Sequence, residues 1–359
     1  MMIQHKAELD LIVERVLKQA TEQGKLSGFC IGNTRKVNES GLYFSPLRVT
    51  ARMVAGSVIV YDIDQAQWIA EQVDGRVDYI FVDTEKKVAL HNLDNEKTSV
   101  GNVEREVRET VKSSKVLTYK GNDLTVDSIE NFIVQLVSAH PRGLGGKKGV
   151  IIGAGNIGSK LALKLVERGM DITLTRRDPA KLEAIVNALN VIKPPATLAT
   201  VSGTVDNLKA AQGADLLIGL TEGISAITAQ MVDAVNVGAF LLDGGKGCFS
   251  TEAIERARLR GLPIYRADVR PGFEGHSAMA LATEEMCAKG VGRIEIEGVS
   301  MISGGLLGSL NEVVVDSIHH PKRVFGVANG LGDFVRTLDA DQLDAVKTIQ
   351  THIEKRNVS

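Results

Sequence analysis

The sequence predicts an α/β protein built on a doubly wound parallel sheet, with a smaller α/β domain ahead of it. Three observations carry this. A glycine-rich turn, Gly153-Ala154-Gly155-Asn156-Ile157-Gly158, sits between the apolar run Val150-Ile151-Ile152 and a segment of helical periodicity. Strand-like and helix-like segments alternate on both sides of that turn. Glycine supplies 36 residues and aromatics only 4%, a balance that suits glycine-turned α/β architecture rather than a β-sandwich.

The turn defines the nucleotide half. Ile157, Leu161, Leu165 and Val166 are spaced to share one helix face, and Gly169 is the left-handed residue expected just past the helix end. Residues 171–175 read as the next strand. Strand, glycine turn, helix and strand, in that order, are the setting in which G-x-G-x-x-G holds a dinucleotide in a Rossmann fold. Gly153 permits the tight turn, Gly155 lets a pyrophosphate approach the backbone, and Gly158 lets helix and strand pack closely. The phosphates would rest on unpaired N–H groups at the helix start, which brings Asn156 and Ile157 into the site.

An NAD site carries an acid at the end of the second strand to bind the ribose. Here the strand ends in Thr175-Arg176-Arg177, with Lys181 one turn on, and these groups suit a 2′-phosphate. Asp178 is the counter-argument, yet Asp178-Pro179 reads more naturally as the N-cap and first residue of the following helix. NADP is the expected cofactor, ahead of NAD.

At 359 residues the chain suits two domains. The expected division is a substrate domain at 1–140, a nucleotide domain at 141–290, and at 291–359 a strand extension whose final helix returns to the first domain. A net charge of −2 with 24% charged residues gives no basic surface for nucleic acid or membrane. No apolar run has transmembrane length, and no signal-peptide pattern opens the chain. Cys30, Cys248 and Cys287 are odd in number and dispersed, which argues against disulfides and zinc sites, so no metal is expected. The expectation is a cytoplasmic enzyme acting on a small molecule, homodimeric as its class commonly is.

An amphipathic helix opens the chain, with Leu9, Ile12, Val13, Val16 and Leu17 on one face. Strands are expected at 29–31, 57–61, 78–82 and 116–118, helices at 64–73, 103–112 and 125–139, and a linker at 141–148. Past the glycine turn, strands at 214–220, 239–243 and 263–265 alternate with helices at 228–234 and 251–260. After 288 the pattern changes to strands at 293–297 and 312–316, a glycine turn at 304–308 and a helix at 339–355.

Ligands bind at the C-terminal edge of such a sheet. Leu220 and Thr221 would pass near the nicotinamide ribose, and Gly244 allows close backbone approach after the strand at 239–243. Lys246 beside it reads equally as a proton donor and as a surface lysine. The stretch 266–276, read as a loop, offers His276 as a proton carrier and Arg270 as an anion ligand. In the first domain the stretch from Asn33 to Ser40, Asp83-Thr84-Glu85 and His91-Asn92 could line the cleft, with Arg35, Asn38, His91 and Asn92 as candidates for substrate binding. Asp83, at a strand end, reads equally as a catalytic carboxylate and as a turn-forming aspartate.

With these residues in view, the chain resembles the amino-acid-dehydrogenase-like group of two-domain Rossmann enzymes, which includes the shikimate, methylene-tetrahydrofolate and methylene-tetrahydromethanopterin dehydrogenases. The resemblance is one of layout over both domains and of sequence from Gly149 to about Lys181. Thr175-Arg176-Arg177-Asp178-Pro179-Ala180-Lys181 looks like the 2′-phosphate clamp of NADP-using shikimate dehydrogenases, with Thr175 in place of their usual Asn. Their S-V-T-x-P-x-K stretch, which supplies a catalytic lysine, has no counterpart here. A second, local likeness joins residues 83–97 to the dehydrogenase that completes pyrrolysine biosynthesis, through His91-Asn92-Leu93-Asp94-Asn95-Glu96-Lys97. It implies amine or imine chemistry, with Asp83 near the reacting amine.

The resulting expectation is an NADP-dependent oxidoreductase moving a hydride at a C–N or C–O bond of a small polar, amino-acid-derived substrate. Asp83, Lys246 or His276 would move the proton, and Arg35 or Arg270 would hold a substrate carboxylate. Two other readings stay open. One is a lyase or cyclodeaminase using a tightly held nucleotide transiently, and the other is a non-catalytic dinucleotide sensor.

Overall fold

Short apolar runs separated by amphipathic helices fold into two parallel sheets, joined by one long helix. The computed structural model describes residues 2–34, 41–91 and 97–358. They form two compact units, Met1–His276 and Ser277–Ser359.

The first half of the larger unit runs α1 (Met2–Glu22), β1 (Leu26–Asn33), β2 (Tyr43–Val49), β3 (Met53–Val60), α2 (Ile63–Val73) and β4 (Tyr79–Asp83). A small antiparallel pair follows, β5 (Ala89–His91) and β6 (Lys97–Val100), then α3 (Val103–Thr110) and β7 (Lys115–Tyr119). The five-stranded sheet has the order β2-β3-β1-β4-β7, parallel except at β2. Alternation sorts its faces. Phe29, Ile31, Val58, Val60, Ile80 and Val82 point to one side, where Leu9, Val13 and Ile69 of the helices cover them. Cys30, Ser57, Phe81 and Asp83 take the opposite parity on their strands. The helices start where side chains supply caps: Asp62 accepts from the N–H of Gln65, and Asn102 from that of Arg105.

α4 (Gly121–Leu136) connects the halves. It starts ahead of the expected 125 and stops short of 139. Its apolar residues Val126, Ile129 and Ile133 join Leu161, Leu165 and Leu174 in the core of the nucleotide half. Charges beside that seam are paired. Glu130 accepts from Lys164 (2.8 Å) and Arg168 (2.8 Å), and Lys160 pairs with Asp123.

The nucleotide half continues with β8 (Lys148–Ile152), α5 (Asn156–Glu167), β9 (Asp171–Thr175), α6 (Pro179–Ile192), β10 (Val201–Thr204) and α7 (Asn207–Ala211). β11 (Leu216–Gly219), α8 (Ala229–Ala234), β12 (Phe240–Asp243), α9 (Thr251–Leu259) and β13 (Ile264–Arg266) complete it, and α10 (Arg270–Lys289) begins in the larger unit and continues in the smaller one. All six strands are parallel in the order β10-β9-β8-β11-β12-β13, the doubly wound arrangement of a Rossmann fold. The Asp178-Pro179 reading holds: Asp178 caps α6 by accepting from the N–H of Lys181.

One expected loop is a helix. The stretch 266–276 enters α10 at Arg270, in spite of Pro271 and two glycines. Pro271 is tolerated in a first helical turn because that turn's N–H groups have no intrahelical acceptor. Gly272 is required by packing, since a Cβ there would lie 2.3 Å from the Leu124 carbonyl oxygen.

The second unit carries β14 (Arg293–Ile296), β15 (Val299–Ser303), β16 (Val313–Val315) and β17 (Val324–Val327), in that spatial order. α11 (Ala340–Val358) lays Ile349 and Ile353 against Met301, Val313 and Val315 of this sheet, so the helix expected to return to the first domain has its buried face here. No helix among the described residues is long and apolar enough to cross a membrane.

Candidate functional site: a dinucleotide cradle opening into a cleft

The glycine loop is built as its sequence demands. The N–H groups of Gly153 and Ala154 both donate to the Thr175 carbonyl, at 3.2 and 2.9 Å, which ties the loop to the end of β9. Gly153 has φ +117°, and a Cβ on it would lie 2.4 Å from the Leu220 carbonyl oxygen. A Cβ on Gly158 would lie 2.1 Å from the Gly153 carbonyl oxygen. Gly155 differs: a Cβ there would meet nothing within 4 Å, because it faces open space.

That space is a cavity of about 430 Å³ lined by Gly153, Gly155, Thr175, Arg176, Arg177 and Thr221, among others. α5 begins at its edge with Gly155 as N-cap, no side-chain cap and no acidic residue in its first turn. Unpaired helix N–H groups with this polarity attract an anion. Arg176 Nη1 donates to the Ala154 carbonyl at 2.6 Å, and its buried Nε has no partner among the described residues. Arg177 is exposed at the same mouth. The bare approach to Gly155, the uncapped helix and the orphaned guanidinium nitrogen all fit a dinucleotide.

A second cavity, about 560 Å³, shares Gly155, Arg176, Leu220 and Glu222 with the first and opens between the two α/β halves. Asn156, Ile157, Gly158 and Gly244 line it from the nucleotide half, and Asn33, Thr34, Lys87 and Asn122 from the first half and the start of α4. Asn122 Nδ2 reaches across to Asn156 Oδ1 at 3.3 Å.

Asp83 stands behind this wall, nearly fully buried at the end of β4. Its Oδ1 accepts from the N–H groups of Glu85 (3.0 Å) and Gly121 (3.3 Å), so it helps cap α4. Its Oδ2 accepts from Lys87 Nζ at 3.2 Å, and the same Nζ lies 2.6 Å from Glu85 Oε2. Burial raises the Asp83 carboxyl above the usual range, and the Lys87 charge and the two N–H bonds offset only part of that. Beside it on β7, burial pushes the Tyr119 hydroxyl well up, and the Cys30 thiol rises to about 11, so both stay neutral near pH 7.

The expected cofactor residues Gly153, Gly155, Asn156, Ile157, Gly158, Thr175, Arg176, Arg177, Leu220, Thr221 and Gly244 each line one cavity or both. Lys181 lines neither and instead sets its Nζ 3.7 Å from Asp178. Lys246 is exposed at φ 59° and stays off both linings. His276 lies on α10, with Nε2 donating to the Thr118 carbonyl at 2.7 Å, and Arg270 is paired with Asp268. Neither lines these cavities. Arg35, Asn38 and Asn92 lie outside the described residues, and His91 ends β5. Asn33 and Thr34, the start of the stretch expected to line the cleft, do line it, whereas Lys87 and Asn122 went unpredicted. The signal for Lys87 was the alternation Asp83-x-Glu85-x-Lys87 after an apolar strand, which sets three charges within reach of one another. Among the described residues no group of three or more His, Cys, Asp or Glu gathers to hold a metal ion.

Comparison with solved structures finds distant likenesses. Ornithine carbamoyltransferase from Gloeobacter violaceus is 15% identical over 77% of this chain and 93% of its own, with TM-score 0.38. The A chain of dipicolinate synthase from Bacillus subtilis is 13% identical over 74% of this chain and 97% of its own, with TM-score 0.36. L-tryptophan dehydrogenase from Nostoc punctiforme is 13% identical over 73% and 75%, with TM-score 0.41. Among curated proteins none matches. Residues 148–229, from β8 to the first residue of α8, match the family model described as NADP oxidoreductase, coenzyme F420-dependent, and so the chain carries a dinucleotide-binding domain of oxidoreductase type.

Proposed function

We propose that this protein is an NADP-dependent oxidoreductase that moves a hydride at a C–N or C–O bond of a small polar, amino-acid-derived substrate. The observation that carries the reading is the continuity of the two cavities through Gly155, Arg176, Leu220 and Glu222, which joins a dinucleotide cradle to a cleft lined by Lys87 and Asn33. A bound nicotinamide supplies or accepts the hydride. Lys87 meets the substrate, and Asp83 and Glu85 position its ammonium. Lys87 thus takes the proton-carrying place expected of Asp83, Lys246 or His276.

Two details favour NADP over NAD. Arg177 is exposed at the cradle mouth, placed to meet a 2′-phosphate. Asp178, which would serve a ribose hydroxyl, is engaged by the N–H of Lys181 at 3.1 Å. Fluorescence titration with NADPH and NADH tests the reading. NADPH is expected to bind more tightly, by about tenfold or more. Arg177→Ala should abolish that preference, while Arg176→Ala, which loosens the glycine loop, should weaken both nucleotides alike. Failure of both to bind the unaltered protein overturns the oxidoreductase reading; equal binding overturns only the choice of NADP.

A further inference from the structure

The glycine-rich stretch after β15 lines neither cavity, and its leucines are left in water. The backbone there is pinned. The Asn311 N–H donates to the Ala328 carbonyl at 3.0 Å, and the Ser309 N–H to the Glu312 carboxylate at 2.6 Å. In the turn after β17, Asn329 Oδ1 accepts from the N–H groups of Leu331 (2.8 Å) and Asp333 (3.1 Å). α11 covers one face of the small sheet through Met301, Val313 and Val315. The loop 304–311 covers the other: a Cβ on Gly308 would lie 2.5 Å from Ala328 Cβ and 3.6 Å from Ile302 Cγ2. The two loops meet. A Cβ on Gly332 would lie 3.4 Å from Leu307 Cδ2, and one on Gly330 3.4 Å from Leu310 Cβ, so both leucines border Leu331. Leu307, Leu310 and Leu331 are 80%, 62% and 89% exposed, and Leu306 and Phe334 nearly half.

We infer that the loops 304–311 and 328–334 form a two-fold interface with a second copy of this chain. Five large side chains at these exposures leave on the order of 600 Å² of apolar surface in water, taking each as about 150–250 Å² when free. That is the top of the range, about 300–600 Å², for the largest patch on a monomer. Homodimer interfaces are about 65% apolar, so the patch suffices for an interface of about 900 Å² a side, against about 800 Å² in a stable complex. Charge selects the occupant. Residues 304–311 carry none, and 328–334 only Asp333, whose Oδ1 accepts from the Phe334 N–H at 2.8 Å. A two-fold axis sets a patch against its own image, and a nearly uncharged patch meets that image without repulsion. A partner of different sequence would find no charge here to steer or select it. Because the loop backbone is already fixed, association has only side chains to order. The contact belongs wholly to the smaller unit.

Sedimentation velocity of the full chain, over a concentration series in the micromolar range, tests this. The unaltered protein should sediment with twice the 38.6 kDa mass of one chain. Leu307→Asp and Leu331→Asp, one on each loop, should each raise the dimer dissociation constant by about tenfold or more, since each buries a charge in the contact. Leu198→Asp, at a 95% exposed leucine of the nucleotide half, should leave it within about twofold. Melting curves show which variants are folded. Leu307→Ser and Leu331→Ser, which add no charge, replace an aspartate variant that is not, with an expected rise of about threefold or more. A monomeric unaltered protein would overturn the inference and leave the patch to a partner of another kind. A dimer that withstands the substitutions on both loops, or one that Leu198→Asp weakens equally, would overturn it too.

Discussion

Lys87 Nζ lies 3.2 Å from Asp83 Oδ2, and of that pair only Lys87 lines the cleft. Asp83 is 3% exposed at its side chain against 18% for Lys87, so a molecule in the cleft would meet the ammonium ahead of the buried carboxylate.

Lys87→Met should therefore cut kcat by about two to three orders of magnitude, the range of a lost proton donor. NADPH affinity should stay within about twofold, since Lys87 lines the second cavity and not the one at the glycine loop. Steady-state kinetics beside a fluorescence titration separate the two quantities. A parallel loss of nucleotide binding would mean that Lys87 supports the fold instead.

The raised Asp83 carboxyl makes a pH prediction. Its folded-state value lies above the unfolded one, so between the two the folded protein holds more protons. Stability contributed by protonated Asp83 is full below the unfolded value, near 3.9, and is lost as pH rises through the folded value. Asp83→Asn should remove that decline. Melting temperatures of both proteins, measured from pH 4 to 7, should converge toward the acid end apart from a constant offset. A difference independent of pH would contradict the assignment.

Two glycines of one loop should respond differently to the same methyl group. Gly158→Ala would press a Cβ against the Gly153 carbonyl and should cost about 1–3 kcal/mol, visible in a denaturant melt. Gly155→Ala meets open space at φ −93°, so the melt should barely move while NADPH binding weakens. Equal melts for the two variants would refute the loop geometry.

Glu130 predicts an acid limb. Burial raises its carboxyl, but hydrogen bonds from Lys164 and Arg168, with their charges, outweigh this and hold it below the usual range. Its contribution is present above the unfolded value and lost as pH falls through the folded one. Glu130→Gln should lower stability at pH 7 by about 1 kcal/mol and flatten the fall below about pH 4. Urea midpoints at several pH values read both effects.

The nucleotide half was legible because its chemistry is local. Gly153, Gly155 and Gly158 each serve a separate backbone need, and Asp178-Pro179 caps α6 as the dipeptide implies. α10 was hidden because Pro271, Gly272 and Gly275 mimic a loop, while the close approach to Leu124 that requires Gly272 depends on a helix distant in sequence. β2 was missed because Ser45, Pro46 and Arg48 break its apolar pattern, which an edge strand tolerates. Asp83 was visible as a residue but not in its role, since the N–H groups and the lysine it holds come together only when α4 docks.

The position of α4 limits how this protein can be taken apart. Its apolar side belongs to the nucleotide core, while its first residues Gly121 and Asn122 hold the carboxylates that aim Lys87. A chimera that exchanged the nucleotide half at the 141–147 turn would leave Val126, Ile129 and Ile133 facing a foreign surface. A junction just ahead of Gly121 would keep that core whole but would cut the donor helix from its acceptors. The two halves are thus not interchangeable modules, and a new cofactor preference is better installed at Arg177 than by grafting a domain.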